Sequence, residues 1–152
     1  MTTDDIQSPR ELYKKTEKIL FALEKLKIKV ENDKQDIADM MQEGELKETT
    51  HKSINTNEWD AEIDDEIRHK QKIRRREREM IRTSKLISRI ERCLKIIKND
   101  EYFSIIPMIY FEQMTCEDVA DELCTSTSTI RRNKNRLLGE LVVLIYGADA
   151  LE

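Results

Sequence analysis

Apolar residues recur at alternating spacings of four and three along the first forty residues of the chain. The positions are Leu12, Thr16, Ile19, Leu23, Leu26, Val30, Asp33, Ile37 and Met40, of which Thr16 is polar and Asp33 is the one charged residue. This spacing is the seam of a coiled coil, where one helix packs against another. Ser8-Pro9-Arg10-Glu11 in front of it is a helix start signal: a capping serine, a proline in the first turn and a glutamate three residues after the serine. Gly44 is predicted to end this helix.

A second seam of the same kind predicts another long helix, from about residue 58 to residue 98. Its positions are Ile73, Arg76, Met80, Thr83, Ile87, Ile90, Leu94 and Ile97. Residues 45–57 have no periodicity and contain several Thr, Ser and Asn, so we predict a connecting loop there. Two long helices joined in this way favour an antiparallel hairpin. Because each seam is narrow, the hairpin is expected to pair with a second copy or to dock on the rest of the chain.

The C-terminal third begins with a dense apolar cluster at residues 102–111. Pro107 lies in its middle, and it fits best in the first turn of a helix or at a kink. Near the end of the chain, Leu141–Tyr146 is almost wholly apolar, and Gly147 is predicted to end the last helix. This last run either packs on the cluster within one domain or forms a dimer surface. The sequence leaves both alternatives open.

Between these apolar stretches, residues 115–147 have the pattern of a helix-turn-helix. Thr115 can cap a short helix, and after a polar break Ser126 can cap a second one. Residues 127–139 of the second helix contain four basic residues and no acidic residue. Its apolar side carries Ile130, Leu137 and Leu141. The opposite side therefore suits the major groove of DNA.

The polar side of this second helix provides a candidate set of DNA contacts. Arg132 and Asn135 are expected to reach base edges, where arginine suits guanine and asparagine suits adenine. Residues at the start and flanks of the helix suit phosphates. The predicted contacts are Ser126, Thr127, Ser128, Arg131, Arg132, Lys134, Asn135 and Arg136.

Another basic run lies in the middle of the second long helix. Residues 68–78 hold seven Lys or Arg and a single Glu. Lys70, Arg74, Arg78 and Arg82 are spaced at four, which forms a ridge roughly opposite the seam. The ridge is either an ordinary solvated face or a second contact with DNA phosphates.

Composition agrees with a helical protein whose charge is unevenly distributed. Charged residues make up 38% of the chain, and there are only three Gly and two Pro, which favours long helices over a sheet. Residues 1–66 carry a net charge of −8 and residues 67–152 a net charge of +4. The three cysteines have no metal-binding spacing, and no apolar run is long enough to span a bilayer. A cytoplasmic protein with no membrane contact is expected.

Part of the C-terminal third also has a familiar pattern. It reads Tyr110-Phe111-Glu112-x-Met114-Thr115-x-Glu117-Asp118-Val119-Ala120-x-x-Leu123, then Ser126 and Thr129-Ile130-Arg131-Arg132. This pattern resembles region 4 of sigma-70-type factors, and resembles more closely the phage-encoded sigma-like regulators of the ArpU or RinA type. The resemblance covers about residues 86–146. It implies a small regulator of late, packaging or lysis genes in phages and prophages. Cys124 stands at a turn position that is usually Gly, so a positive φ there would be strained.

The sequence therefore predicts an all-α protein, with a long, coiled-coil-like antiparallel helical hairpin followed by a C-terminal helix-turn-helix domain. The predicted divisions are residues 1–57, 58–98 and 99–150. The predicted function is sequence-specific regulation of transcription, with a recognition helix at about 126–139. Expected partners are double-stranded DNA, RNA polymerase and a second copy of the chain. The alternatives are a DNA-packaging protein like a small terminase subunit, and a protein that only binds RNA polymerase.

The residues for enzymatic chemistry are sparse. His51 and His69 are isolated, so neither a histidine-based zinc site nor a catalytic triad can be assembled. The chain also has no glycine-rich phosphate loop. We therefore predict no catalysis, no cofactor, no metal and no small-molecule substrate.

Overall fold

The computed structural model describes residues 7–50 and 56–151, with side chains for residues 7–44 and 61–151. Within these ranges all the regular elements are helices. They are α1 (Pro9–Thr50), α2 (Thr56–Ile97), α3 (Ile105–Tyr110), α4 (Cys116–Glu122), α5 (Thr127–Tyr146) and a closing 3-10 helix (Gly147–Leu151). The prediction of an all-α protein with two long helices is confirmed for this part of the chain.

The two ends of α1 compare differently with the sequence prediction. At the start, the Ser8 backbone N–H donates to Glu11 Oε2 at 2.9 Å and the Glu11 N–H donates to Ser8 Oγ at 3.3 Å. The predicted capping box is therefore confirmed. At the other end the prediction was wrong, because α1 continues past Gly44 to Thr50. A Cβ at Gly44 would lie 3.4 Å from the ring of His69, so this glycine lies where α2 approaches closely. Residues 51–55 of the predicted loop lie outside the described residues.

The chain divides into two compact units. One contains the described residues up to Lys25 together with those from Ile87 onward. The other is Leu26–Leu86. Both long helices contribute a segment to each unit. The first unit therefore contains all of α3, α4 and α5.

In the unit Leu26–Leu86, the predicted seams of α1 and α2 face each other. Val30 and Ile37 of α1 are buried, and Ile73 and Met80 of α2 are half-buried. Near one end of this pairing, His69 Nε2 donates to the backbone carbonyl of Met40 at 2.6 Å. The packing of the two long helices is thus confirmed within this unit.

A charged pair interrupts the seam at its middle. Asp33 is only 2% exposed, and its carboxylate lies 3.6 Å from the Arg76 guanidinium and in contact with Lys29. Arg76 also donates to Asp36 at 3.1 Å. The two charged residues predicted on opposite seams therefore neutralise each other. A pair of this kind at a seam specifies which residues of two helices lie side by side.

In the other unit, the apolar cluster after α2 forms the support for the C-terminal helices. α3 packs against both α4 and α5, with Ile105, Ile106 and Ile109 buried. Pro107 lies in the first turn of α3, as the sequence predicts. Tyr110 is buried as well, and its hydroxyl donates to Glu17 of α1 at 2.7 Å. Burial, together with this bond, raises the pKa of Tyr110, so the phenol remains a donor.

The apolar run near the end of α5 packs partly within its own unit, which is one of the two alternatives that the sequence leaves open. Leu141 and Val142 are buried in the unit, whereas Val143 and Leu144 are exposed. Gly147 ends α5 with a φ of 69°, as predicted. None of the helices in the described part of the chain is long and apolar enough to cross a membrane.

Candidate functional site

The junction between α4 and α5 is built from short-range hydrogen bonds. Thr115 Oγ1 accepts the Asp118 N–H at 3.1 Å, which caps α4. Ser126 Oγ accepts the Thr129 N–H at 3.2 Å, which caps α5. Both predicted N-caps are confirmed. Between the helices, the Thr125 N–H donates to the Ala120 carbonyl at 2.9 Å and closes the turn.

The turn requires a left-handed residue, and Cys124 supplies it with a φ of 54°. In this conformation Cβ crowds the backbone, which costs roughly 1–2 kcal/mol for a residue other than glycine. The Cys124 side chain is exposed, so no packing contact offsets this cost. The strain that the sequence predicted for a positive φ at this position is therefore present.

Replacing Cys124 with glycine is expected to stabilise the protein. Relief of the strain should exceed the larger backbone entropy of glycine in the unfolded chain, for a net gain of about 0.5–1 kcal/mol. Urea denaturation of Cys124→Gly and Cys124→Ala measures this gain, because the alanine variant loses the thiol and keeps the strain. If both variants are equally stable, relief of the strain at the positive φ does not exceed the entropy cost of glycine, and the expected gain is wrong.

α5 has one buried and one exposed side along its first fifteen residues. The buried side packs on α3 and α4 through Ile130, Leu137, Leu138 and Leu141. Ser128, Arg132, Asn135 and Gly139 recur at spacings of three and four, and all four are exposed. We call these four residues the exposed α5 face. Its three polar members are predicted contact residues.

Two arginines flank the exposed α5 face, and each is held by a carboxylate. Arg131 donates to Glu117 of α4 at 3.1 Å. Arg136 donates two hydrogen bonds, at 2.8 and 2.9 Å, to the two oxygens of Asp100. These bonds lower the pKa of Asp100 to about 2. The flanks of α5 are therefore tied to the elements beside them.

Unlike Arg131 and Arg136, Arg132 has no carboxylate partner among the described residues. Its side chain is exposed and makes no hydrogen bond or ion pair with any residue that the structure describes. An exposed guanidinium presents five donors in a fixed planar arrangement. On this face, Arg132 is therefore available to a partner outside the chain.

Two other predicted contact residues are half-buried, and one of them lies against α1. Lys134 is half-buried, and its Nζ lies 3.8 Å from Glu17 Oε2. It is four residues after Ile130 and three before Leu137, so it lies on the apolar stripe rather than on the exposed α5 face. Thr127 is also half-buried, at the start of the helix. Of the eight predicted residues, these two are the least accessible.

Asn135 lies on the exposed α5 face but is held from the side. The Tyr13 hydroxyl of α1 donates to Asn135 Oδ1 at 2.6 Å. Burial raises the pKa of Tyr13 to about 12, so this donor stays protonated. Sequence reasoning missed Tyr13 and Glu17 as supports of the site. Their four-residue spacing places them on one face of α1, but no local pattern indicates that this face meets α5.

The ridge on α2 belongs to the unit Leu26–Leu86. Its four members, Lys70, Arg74, Arg78 and Arg82, are all exposed. None of them makes a hydrogen bond or an ion pair with a residue in the described part of the chain. The structure thus brings these predicted residues together on one helix, as their spacing indicates.

An open groove lies beside the C-terminal half of α5. It has a volume of about 670 Å³ and an apolar floor that includes Ile96, Val143 and Leu144. Asp100, Arg136 and Glu140 form its polar edge. Ile96 is 64% exposed, so the groove is not covered by any residue in the described part of the chain.

The chain is similar to a known protein family. A family model described as "Protein of unknown function (DUF1492)" matches residues 57–141, more than half of the chain. The matched residues include the ridge and the exposed α5 face, whereas α1 lies outside them. A search of curated proteins and a search of solved structures find no match.

Proposed function

The chain belongs to the DUF1492 family, and we propose that it is a sequence-specific double-stranded DNA-binding protein that regulates transcription. In this proposal α4, residues 123–126 and α5 form a helix-turn-helix, and α5 is the recognition helix. The observation that carries the proposal is the exposed α5 face, which is free of acidic residues and contains an unpaired arginine. The exposed α5 face begins next to the Ser126 cap, and the buried apolar side of α5 holds the helix against α3 and α4.

The dimensions of α5 suit the major groove. Residues 127–139 extend over about 20 Å, and the groove of B-DNA is about 12 Å wide and admits one helix. The N-terminal end of a recognition helix contacts base edges in this arrangement. Its backbone N–H groups and the positive end of its dipole favour a phosphate at Ser126 and Thr127.

The contacts already present within the chain refine the roles of individual residues. Arg132 has both edges of its guanidinium available, and its geometry suits O6 and N7 of guanine. Asn135 receives a hydrogen bond at Oδ1 from Tyr13, so its amide NH₂ is directed to an acceptor outside the chain. This favours a single donated bond to a base or a phosphate over the paired contact with adenine that the sequence suggests.

The flanking arginines suit phosphates. Arg131 and Arg136 already have carboxylate partners, at Glu117 and Asp100. The existing carboxylate contact fixes the position of each arginine side chain before DNA binds. A phosphate would then replace this contact or add to it. Contacts of this type orient a protein on the duplex without reading its sequence.

The kind of gene regulated follows from the resemblance of residues 110–132 to sigma region 4 and to ArpU- or RinA-type regulators. In the proposal the chain acts on phage or prophage genes in the cytoplasm, in contact with RNA polymerase. A sigma-like helix-turn-helix suits this role, because region 4 of a sigma factor joins promoter DNA to the polymerase. No enzymatic activity is part of the proposal.

A homodimer is the form that we propose for DNA binding, with the groove beside α5 as its interface. The exposed Ile96, Val143 and Leu144 would be covered by the same surface of a second copy. The same apolar surface on two copies of α5 is self-complementary when the copies pack about a two-fold axis. Helix-turn-helix dimers of this symmetry bind paired half-sites.

Selection of bound duplexes from a random pool, followed by affinity measurements on the enriched sequence, tests the proposal. Arg132→Ala is expected to weaken specific binding by about 5- to 150-fold, the equivalent of about 1–3 kcal/mol for a lost paired base contact. Lys25→Ala is the matched control, since it removes one exposed charge from α1. Sedimentation of the complex should find two chains per duplex.

Two results would contradict different parts of the proposal. If no sequence is enriched, or if Arg132→Ala binds the enriched sequence as tightly as the Lys25→Ala control, the recognition model is wrong. If one chain binds per duplex, the recognition model stands and the homodimer does not.

A further inference from the structure

The ridge on α2 is an unusual charged surface, even for a long solvent-exposed helix. Its members follow one another at intervals of four, so each basic side chain is adjacent to another of the same sign. A solvated helix face is normally stabilised by acidic and basic residues in alternation at this spacing. Here, three successive like-charged pairs destabilise the helix by a few tenths of a kcal/mol each.

No acidic residue in the described part of the chain forms an ion pair with the ridge, although Glu66, Glu77 and Glu79 lie three or four residues from its members. Asp33 and Asp36 of α1 are directed to Arg76, the basic residue of this block that turns toward the seam. Asp65 lies 3.8 Å from Arg68, one turn before the ridge. These three aspartates therefore form ion pairs with basic residues outside the ridge. The four guanidinium and ammonium groups of the ridge are therefore not engaged in ion pairs within the described part of the chain.

A row of uncompensated positive charge is best explained by a polyanion that neutralises it on binding. We propose that the ridge binds the phosphate backbone of double-stranded DNA, as a second contact surface on a different unit of the chain from the exposed α5 face. This inference rests on the proposed function, since the ligand is the same kind of duplex. From Lys70 to Arg82 the helix rises about 18 Å, the length of roughly five base-pair steps of B-DNA.

The contact has a definite chemistry. Phosphates are recognised by their charge and by donors from arginine and lysine, with no dependence on base sequence. The ridge therefore adds affinity for any duplex, whereas the exposed α5 face adds preference for one sequence. The two surfaces are separable by experiment for this reason.

The test compares the salt dependence of binding in three full-length variants on a duplex of unselected sequence. The ridge variant replaces four basic residues with glutamine: Lys70, Arg74, Arg78 and Arg82. The charge-matched control replaces four exposed lysines elsewhere with glutamine: Lys18, Lys25, Lys95 and Lys98. Arg132→Ala completes the set, because it affects the exposed α5 face alone.

The ridge variant should bind DNA with a shallower dependence on salt. Each lost phosphate contact reduces the slope of log Kobs against log salt concentration by about 0.9, so four contacts reduce it by up to about 3.6. The control should keep most of the wild-type slope. In urea and without DNA, the ridge variant should be at least as stable as the wild type, because three like-charged pairs are removed. That result shows that weaker binding does not come from unfolding.

Each other outcome is decisive. A ridge variant with the wild-type slope, or a control that loses as much slope as the ridge variant, overturns the ridge contact. Both leave the proposed function intact if Arg132→Ala still weakens binding to the selected sequence. A ridge variant that keeps DNA binding and loses binding to anionic lipid vesicles assigns the surface to a membrane instead. A wild-type protein that binds no duplex at low salt removes the proposed function and the ridge contact together.

Discussion

Replacing Leu137 with alanine is expected to lower the free energy of unfolding by about 2–5 kcal/mol. Leu137 is 0% exposed and lies on the stripe that holds α5 against α3 and α4. Removing its branched end takes away buried apolar surface and leaves a cavity that the neighbouring helices only partly fill. A loss of this size is a large fraction of the stability of an ordinary domain.

Leu151 provides a matched control in the same unit of the chain. It is 72% exposed and lies outside the groove, so Leu151→Ala removes the same atoms from a site already in contact with solvent. Its cost should stay below about 1 kcal/mol. Urea denaturation followed by circular dichroism measures both variants. Equal costs would mean that α5 is not held by the stripe on which Leu137 lies.

The Leu137 variant also separates stability from recognition. Leu137 is on the side of α5 opposite the exposed face and contributes no atom to a DNA contact in the proposed function. At temperatures where the variant remains folded, its preference among duplex sequences should match that of the wild type. A changed preference would mean that the stripe controls the position of the exposed α5 face.

The second large effect is expected at the charged pair of the long helices. Replacing Arg76 with methionine leaves the buried Asp33 carboxylate with Lys29 as its remaining partner. Losing one member of a buried pair costs about 3–5 kcal/mol, but the Arg76 side chain is 41% exposed, so we expect a smaller cost of about 1–3 kcal/mol. Arg75→Met is the control, because Arg75 is the exposed residue next to it.

A double-mutant cycle tests this explanation directly. Asp33→Leu removes the buried charge together with its need for a partner, and such a replacement is often neutral or stabilising. Arg76→Met should therefore cost much less in a chain that already carries Asp33→Leu. If the cost of Arg76→Met is the same in both chains, Arg76 acts through something other than Asp33.

The elements set by nearby residues are the ones that the sequence predicts well. Both seams depend on the spacing of residues within one helix, and the side chains at Leu23, Val30, Ile90 and Leu94 are buried as predicted. The caps at Thr115 and Ser126 depend on residues three positions away, and both are present. Local spacing and local hydrogen bonds are sufficient information in these cases.

The features that depend on distant residues are the ones that the sequence does not predict. Gly44 is a helix terminator by local rules, but it lies inside α1, where His69 of α2 is beside it. Asn135 is held by Tyr13, 122 residues earlier in the chain. The spacing of residues within one helix predicts neither contact, because each contact depends on how separate helices pack. The same reason explains why Lys134, which is polar, is directed to Glu17 rather than to solvent.

The differing exposure of the three cysteines has a practical consequence. Cys93 is buried, Cys116 is half-buried and Cys124 is exposed in the turn. Burial also raises the pKa of the Cys93 thiol, which reduces the fraction present as reactive thiolate. A maleimide fluorophore should therefore attach first at Cys124, two residues before the cap of α5. The natural protein already carries a labelling position from which the arrival of a duplex can be followed by fluorescence.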